Sequence, residues 1–338
     1  MSGLSSAGRP AGWPLSRWAI VMTSGAVSQA GDGDARGVAH ETPTRVRDVA
    51  VRTLRWRFET LWSELGAACA DAHDAEAVHR LRVACRRTIA AIAAFRDLLP
   101  SRQRDWFSKR LRRLRRAAGT ARDLDVLSAR LTGRGGDAAA IAGAARHRLI
   151  AMLSRQRVGS RVPIREEMER LVAADWQAHV ERFVEAAADA RDGDETFAEY
   201  ARRRFRRLGN RFFDHVDRRL HGDAEIHRLR IHVKKLRYAL EIFAPVFPER
   251  VTAKCVKALE RLQEHLGEFT DHAAAANRLR RWSRQDGVDA AQTAIVALRR
   301  IEEARADEAR RTFVKWWTPG RRKGLRRRCE RTSRRRSA

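Results

Sequence analysis

The chain has 338 residues, enough for two domains or for two lobes that each bury a core. Its 70 Lys and Arg residues outnumber its 42 Asp and Glu residues, which gives a formal net charge of +28. Such a field repels cations and concentrates polyanions, so it argues against cationic ligands and indicates nucleic acid, inorganic polyphosphate or an anionic membrane face.

The first 43 residues are rich in Gly, Ser and Ala, and this composition predicts a disordered segment. Their longest apolar stretch lies around Trp18–Met22 and is too short for a secretory signal or a membrane span. The cysteines lack CxxC spacing, which disfavours a disulfide framework or a structural zinc site and favours a reducing cytoplasm. They are Cys69, Cys85, Cys255 and Cys329.

The sequence from about residue 44 to residue 317 predicts an all-α fold. Ala, Leu, Arg and Glu dominate it, and Gly and Pro fall at breaks between periodic stretches. Pro100 and Pro248 each follow a long apolar helix end, and Gly133–Gly136 predicts a loop. The predicted helices cover residues 44–71, 75–98, 102–131, 137–157, 163–190, 195–220, 223–245, 249–283 and 287–316.

Beyond the last predicted helix the sequence becomes strongly basic. The stretch RRKGLRRRCERTSRRR contains ten basic residues, one acid and no evident apolar face. Such a composition predicts that residues 317–338 form a disordered tail that contacts polyanions loosely.

One sequence pattern occurs twice, 148 residues apart. The first copy reads HRLRVACRRTIAAIAAF over residues 79–95, and the second reads HRLRIHVKKLRYALEIF over residues 227–243. A repeat of this length indicates two copies of one structural unit, each of four helices, over about 44–157 and 195–316. The predicted helix over 163–190 has no partner in the repeat and is expected to bridge or cap the units.

Both copies predict an amphipathic helix with one cationic face. At 100° per residue the basic residues and the histidine share one side, and the apolar residues lie opposite. A solvated surface would normally interleave acids with these cations, but the first copy has none and the second has only Glu241. The pattern therefore favours an anion-binding face. Its members are His79, Arg82, Arg86 and Arg87 in the first copy, and His227, Arg230, Lys234 and Arg237 in the second.

The helix after each copy carries a further row of cations. Lys109, Arg113 and Arg116 are spaced at i, i+4 and i+7, with Arg112 and Arg115 beside them. The second unit has Lys254, Lys257 and Arg261 in similar places, but it has Glu260 and Glu264 in the positions of Arg112 and Arg116. The two units are therefore unequal in charge.

An aspartate follows a glycine by four residues in both units. Gly119 precedes Asp123, Gly267 precedes Asp271, and both glycines are expected to interrupt a helix. An acid so close to basic clusters is expected to orient an Arg or Lys through a salt bridge rather than to perform chemistry.

Motifs that would indicate catalysis or a resident metal are missing from the sequence. It contains no HExxH, EF-hand loop, Walker A lysine motif or GxSxG elbow. His227 and His232 are five residues apart, a spacing that points their rings in different directions. The sequence thus predicts no metal, no cofactor and no enzymatic activity.

These residues resemble the CHAD family, the conserved histidine α-helical domain, over about residues 44–316. The resemblance rests on H-x-L-R-[VI]-x-x-[RK]-[RK] in both copies, L-R-Y-x-L-E from Leu236, R-D-L-D from Arg122 and L-G-x-x-x-D from Leu266. It implies two four-helix bundles related by a pseudo-twofold, with a strongly basic cleft between them. It also implies binding of inorganic polyphosphate and a location at polyphosphate granules. CHAD domains often accompany a CYTH triphosphatase domain, which this sequence lacks.

The resemblance assigns anion binding to the cationic helices of both copies. Ile89 stands where the second copy has Arg237, so the first copy has one contact fewer if Arg237 holds phosphate. The assigned residues are His79, Arg82, Arg86 and Arg87, with His227, Arg230, Lys234, Lys235 and Arg237. The basic rows of the following helices add Lys109, Arg113 and Lys257 to the predicted site.

The favoured interpretation is a cytoplasmic, non-catalytic polyphosphate-binding protein located at polyphosphate granules. Its expected partners are polyphosphate, a CYTH-type triphosphatase or granule proteins, and nucleic acid through the Arg-rich tail. Two alternatives stay open. A nucleic-acid-binding protein ranks second, because Tyr238 is the only aromatic residue on the cationic faces and base stacking needs more. The third is a metal-dependent phosphohydrolase using His79, His227, Asp123 and Asp271.

Overall fold

The computed structural model describes residues 44–71, 73–132, 143–216, 222–284 and 291–334. The predictions for residues 1–43 and for the loop Gly133–Gly136 fall outside these ranges. The described residues are almost entirely helical, which confirms the all-α class. The eleven α-helices described are α1 Val46–Ala70, α2 Ala75–Ala94, α3 Ser101–Thr132, α4 Gly143–Gly159, α5 Val162–Ala173, α6 Trp176–Ala188, α7 Phe197–Val216, α8 Asp223–Phe243, α9 Glu249–Trp282, α10 Gln292–Trp316 and α11 Pro319–Ser333.

The ends of the two repeated helices follow from local sequence. Asp74 caps α2 by accepting hydrogen bonds at 2.8 Å from the backbone N–H groups of Glu76 and Ala77. Each repeated helix runs into a 3₁₀ turn, Arg96–Leu98 after α2 and Ala244–Val246 after α8. A proline then follows each turn, at positions 100 and 248, and separates it from the next helix.

The helix predicted over 163–190 is two helices. The break lies between α5 and α6, where Asp175 has a φ of 49°, in the left-handed region that does not continue a helix. Both helices pack against α1, and α5 also packs against α3. Of the two expected roles, bridging or capping the units, this packing against α1 and α3 fits capping.

The prediction of a disordered C-terminal tail is wrong for residues 319–333. These residues form α11, whose N-cap Thr318 accepts a hydrogen bond from the Arg321 N–H at 3.3 Å. Leu325, Cys329 and Thr332 lie on one side of α11 and are buried, and the helix packs against α7 and α9. The sequence pattern hid this stripe because only three residues, one of them a threonine, form it.

The helices pack in a similar order in the two halves of the chain. Helix α2 lies against α1 and α3, and helix α8 lies against α7 and α9. The halves meet where α2 packs against α8. Beside this contact Tyr200 of α7 donates a buried hydrogen bond at 2.9 Å to the carbonyl of Ala94, at the end of α2. The two repeated helices are therefore held side by side.

An apolar cluster joins the C-terminal parts of α3 and α9. Leu131 of α3, Leu149 and Leu153 of α4, Leu279 of α9 and Ile295 of α10 pack together in it. This cluster fixes the far ends of the two long helices next to each other. Within the described ranges, no helix combines the length and the apolar character that crossing a lipid bilayer requires.

Candidate functional site

A large cavity lies where the two repeated helices meet the helices that follow them. Its volume is about 920 Å³, which is within the range of ligand sites. Among the residues that the structure describes, ten basic side chains line it together with His227, and Asp123 is the single acid. The basic lining residues are Arg82 and Arg86 from α2, Arg112, Arg115 and Arg116 from α3, Arg230, Lys234 and Lys235 from α8, and Arg278 and Arg281 from α9.

The glycines Gly119 and Gly267 do not interrupt helices, contrary to the sequence-based expectation. Each lies inside a continuous helix, α3 or α9. A Cβ atom at Gly119 would lie 2.7 Å from Nη1 of Arg82, whereas at Gly267 it would lie 4.0 Å from Nη2 of Arg230. The absence of a side chain at position 119 thus lets the Arg82 guanidinium lie directly on α3.

Both aspartates that follow these glycines form ion pairs, as the sequence predicts. Asp271 accepts a hydrogen bond at 2.9 Å from Nη2 of Arg230, which belongs to the same unit. Asp123 instead pairs with Arg278 of the other unit. The two equivalent acids therefore have non-equivalent partners.

Most of the cations around the cavity have no carboxylate partner. Within the described part of the chain, Arg230 and Arg278 are the only basic lining residues that form an ion pair. The Nε atoms of Arg86 and Arg230 are buried and have no hydrogen-bond acceptor among the described residues. Buried charged donors without acceptors are costly, so the cavity favours the entry of an anionic acceptor.

Burial and mutual repulsion lower the pKa values of several lining residues. Burial lowers the pKa of Lys234 to about 7, and the charges of Arg230 and Arg86 add to the effect, against an opposing contribution from Asp271. The pKa of Arg82 falls to about 10 through burial and the charge of Arg86. The pKa of Arg278 also falls to about 10, through burial and the charge of Arg281. Each shift shows that the free cavity disfavours its own positive charges.

Six of the residues predicted as binding residues line this cavity. They are Arg82, Arg86, His227, Arg230, Lys234 and Lys235. The equivalent histidine, His79, is absent from the lining residues. Its pKa is lowered, mainly by partial burial and then by the charge of Arg122. The two histidines of the repeat are therefore placed differently.

The structure places the other predicted site residues away from the cavity. Arg113 pairs with Glu167 of α5 at 3.1 Å, and Lys109 lies in the same small groove as Arg113. Arg237 donates hydrogen bonds to Gln263 at 2.9 Å and to Glu241 at 2.7 Å. The remaining two do not line it either. Arg87 is exposed on α2, and Lys257 lines a separate cavity formed with α11.

Five arginines of the cavity were missing from the predicted site. Arg112, Arg115 and Arg116 lie on α3 beside the predicted Lys109 and Arg113, but they face the opposite flank of its buried stripe. Helix α5 covers the other flank through Glu167, which the sequence did not reveal. Arg278 and Arg281 lie near the end of α9, beyond the repeated pattern that guided the prediction. The sequence signal there was the lack of acids between His272 and Arg284.

The described residues contain no group of three or more His, Cys, Asp or Glu side chains arranged to hold a metal ion. The His215 and His232 rings contact each other at 3.9 Å between centroids, outside the cavity. Burial lowers the pKa of His232 to about 4, and the neighbouring His215 adds to the effect.

Together these features define an all-helical protein with a cation-lined cavity between two long helix pairs. The family model of the CHAD domain matches residues 52–280, and the chain belongs to this family. The resemblance inferred from the repeated helix is thereby confirmed.

Solved structures that are similar to this chain include the following two. The crystal structure of the CHAD domain from the plant Ricinus communis shares 22% sequence identity and has a TM-score of 0.65, over 88% of this chain and 96% of that chain. PptA from Streptomyces chartreusis shares 18% identity and has a TM-score of 0.55, over 82% of this chain and 99% of that chain. At such identities the likeness concerns the fold. A comparison with curated proteins finds no match to this chain.

Proposed function

We propose that this protein binds inorganic polyphosphate, without catalysing a reaction, in the cavity between α2, α3, α8 and α9. The observation that carries the proposal is the charge of the cavity. Ten basic side chains surround it, and only Arg230 and Arg278 have a carboxylate partner among the described residues. Membership of the CHAD family supports the same ligand.

A chain of phosphates suits this cavity because it supplies many acceptors in a row. Arginine forks bind phosphate oxygens two at a time, and arginines form most of the basic lining. Binding should release the counterions condensed on the polyanion, so affinity is expected to fall steeply as salt rises. Affinity should also increase with chain length until the cavity is filled.

The proposal includes the architecture implied by the resemblance, two bundles related by a pseudo-twofold with a basic cleft between them. Helices α1, α2 and α3 pack in the same order as α7, α8 and α9, which supports it. Helices α5 and α6 close the first group, and α11 occupies the comparable place beside α7 and α9. The cleft then lies where the equivalent helices α2 and α8 meet.

Charge reversal of four lining residues tests the proposal. Arg82, Arg86, Arg230 and Lys234 are replaced together by Glu, and binding of long-chain polyphosphate is measured by titration at constant salt. Binding should be lost while helical circular dichroism is retained, because these side chains face the cavity rather than the core. Unchanged binding would sink the proposal.

A competition assay separates polyphosphate from nucleic acid at this cavity. Within the described ranges, Trp282 is the only Phe, Tyr or Trp residue that lines it, which offers little for base stacking. Long-chain polyphosphate should therefore displace single-stranded and double-stranded nucleic acid at lower phosphate concentration. The assay is repeated with the exposed Lys323, Arg327 and Arg331 of α11 replaced by Glu, because these cations offer a separate surface for nucleic acid and deletion of α11 would uncover the residues it buries.

The alternative function, a metal-dependent phosphohydrolase, is tested in the same samples. Asp123 and Asp271 are engaged with Arg278 and Arg230, which suits a positioning role. Release of orthophosphate with Mg²⁺ or Mn²⁺, lost on His79→Ala or His227→Ala, would contradict a non-catalytic function. We further propose a cytoplasmic location at polyphosphate granules, with granule proteins or a CYTH-type triphosphatase as partners.

A further inference from the structure

A second cavity lies between the N-terminal part of α9, the end of α10 and helix α11. Its volume is about 470 Å³. It shares no lining residue with the first cavity, and five of its lining residues lie beyond the region matched by the CHAD domain model. Its lining residues are Lys254, Lys257, Ala258 and Arg261 from α9, Trp316 and Trp317 at the end of α10, and Arg321, Leu325 and Arg328 from α11.

The cations of this second cavity lack acidic partners. Lys254, Lys257 and Arg261 lie along one side of α9 and are exposed, and Arg328 approaches from α11. None of these four forms an ion pair with a carboxylate in the described ranges, and no acid lines the cavity. Arg321 is held by a hydrogen bond of 2.6 Å from its Nη1 to the carbonyl oxygen of Trp316. The cavity is thus prepared to receive an anion.

Aromatic side chains distinguish this cavity from the first one. Trp317 is only 7% exposed, and its buried Nε1 donor has no acceptor within the described residues. The Trp316 ring lies 4.2 Å from the His265 ring and 4.9 Å from the Arg321 guanidinium carbon. The buried Leu325 adds an apolar surface. The lining therefore combines phosphate-binding cations with a rigid planar surface and an indole N–H that lacks a partner.

We propose that the second cavity binds a nucleotide, either free or as part of a single strand. The phosphates accept hydrogen bonds from Lys254, Lys257, Arg261 and Arg328. The base lies against the partly exposed Trp316 ring, and a shift of the Trp317 side chain would bring its buried Nε1 donor to a ring nitrogen or carbonyl oxygen of the base. Polyphosphate lacks a base and would leave that donor unsatisfied, so the two cavities are expected to differ in ligand preference.

Photo-crosslinking locates the site directly. The full chain is irradiated with azido-ATP or with a short single-stranded oligonucleotide carrying an azido base, and labelled peptides are identified by mass spectrometry. Labelling is expected within residues 313–328 and should be displaced by excess ATP. Tripolyphosphate, which has the phosphates without the base, should displace it far less effectively.

Variants separate this site from the first cavity. Lys257→Glu with Arg328→Glu should weaken ATP binding by about tenfold or more, because two phosphate-binding charges are reversed at exposed positions. Trp317→Phe keeps the ring and removes the N–H, so it should weaken binding by about threefold. Trp56→Phe, at an exposed tryptophan elsewhere, is the matched control and should have no effect. Arg86→Glu with Lys234→Glu should abolish polyphosphate binding yet leave labelling intact.

Labelling by ATP supports a free nucleotide, and labelling by the oligonucleotide alone supports a strand. The proposal is overturned if neither probe labels residues 313–328, or if Lys257→Glu with Arg328→Glu is labelled like the wild type. It is also overturned if tripolyphosphate competes as well as ATP and Trp317→Phe has no effect. Failure of polyphosphate binding with intact labelling would contradict the proposed function alone.

Discussion

The two sides of the first cavity come from repeated sequence but present different chemistry. We use the name first wall for its lining residues on α2 and α3, and second wall for those on α8 and α9. In the first wall three arginines of α3, at positions 112, 115 and 116, face the cavity. Their equivalents in the repeat are Glu260, Gln263 and Glu264, none of which lines it. The second wall instead takes its α9 cations from Arg278 and Arg281, about five turns further along.

Two pairs of equivalent positions show how the two walls differ locally. The first wall has Ile89 on α2 and Arg115 on α3, and both line the cavity. The second unit has Arg237 and Gln263 at the equivalent positions, and they hydrogen-bond to each other at 2.9 Å. In the second unit Arg237 therefore connects α8 to α9 by a hydrogen bond. The first unit has Ile89 in place of that arginine, and its Arg115, at the position of Gln263, lines the cavity.

Asp123 and Asp271 also make the two walls unequal in unpaired charge. Asp271 neutralises Arg230 inside the second wall, whereas Asp123 of the first wall pairs with Arg278 from the opposite side. Arg82 is left without a carboxylate and rests on Gly119. The first wall therefore carries more uncompensated charge, and the second wall is more internally braced. The repeated sequence is thus associated with one wall of unpaired cations and one wall whose cations are partly paired.

Reversing the α3 row should have the largest effect on polyphosphate binding. Replacing Arg112, Arg115 and Arg116 by Glu removes three unpaired cations from the first wall. Titration with medium-chain polyphosphate at fixed salt should show an affinity about 100-fold weaker, because several phosphate contacts are lost together. The helix should survive, since all three side chains are exposed.

The matched variant reverses three cations on α9 of the second unit that do not line the first cavity. Replacing Lys254, Lys257 and Arg261 by Glu changes the net charge by the same amount, but these residues face the second cavity. Its affinity for polyphosphate should stay within about threefold of the wild type, as expected for distant charges in salt. Equal losses in the two variants would mean that overall charge, rather than the first wall, determines binding.

The sequence predicts the helical scaffold well because the scaffold depends on local chemistry. Pro100 and Pro248, together with the periodic apolar residues of α2 and α8, locate the repeated helices to within a few residues. The sequence did not predict α11, because Leu325 and Cys329 become buried only when the helix packs against α7 and α9. It also did not predict the break at Asp175, where a non-glycine residue adopts a left-handed conformation.

The candidate site was predictable only as far as the repeated helix extends. The cationic faces of α2 and α8 pointed to Arg82, Arg86, Arg230 and Lys234, all of which line one cavity. The choice between the two flanks of α3 could not be made, because it depends on Glu167 of α5 occupying one of them. An amphipathic pattern predicts which side of a helix is buried. It does not predict which other helix packs beside each edge of that buried side.

Single arginines at equivalent positions should differ in their effects. Arg82→Ala removes an unpaired cation and should weaken polyphosphate binding by about tenfold, as expected for a lost charge-assisted contact. Arg230→Ala combined with Asp271→Asn removes an ion pair that carries no net charge, so its affinity should stay within about threefold of the wild type. Isothermal titration on both proteins decides the matter. A larger loss for the Arg230 variant would reverse the assignment of the two walls.

Lys234 should make polyphosphate binding depend on pH. Its pKa in the free protein is about 7, so a bound polyanion must favour the protonated form and raise this pKa. Affinity should then fall by about fivefold as pH rises from 7 to 9, consistent with uptake of less than one proton. Lys234→Arg should flatten this dependence. Lys235→Arg, at an exposed neighbouring position, is the control and should not.

The same titration of Lys234 should affect the stability of the free protein. Stability should increase with pH, whereas the affinity for polyphosphate decreases. Between the folded pKa of about 7 and the ordinary value of 10.5, the unfolded chain holds more protons on this lysine than the folded one. The contribution of Lys234 to stability therefore increases with pH across this window. Thermal unfolding of the wild type and of Lys234→Met, compared at pH 7 and pH 9, measures it. A difference between the two proteins that does not change with pH would contradict the depressed pKa.

The smallest effects should come from the two glycines, which report on how closely each arginine lies on its helix. Gly267→Ala meets only an ordinary contact, so it should stabilise α9 by about 0.5–1 kcal/mol and leave binding unchanged. Gly119→Ala would bring its Cβ to 2.7 Å from Arg82 Nη1 and force the guanidinium to move. It should therefore weaken polyphosphate binding by about threefold with little gain in stability, since a displaced charge offsets the helical preference. Chemical denaturation and titration of both variants test this contrast. If both alanine variants are stabilised equally and bind polyphosphate like the wild type, the close approach of Arg82 to Gly119 does not contribute to binding. The two walls would then differ only in their charge.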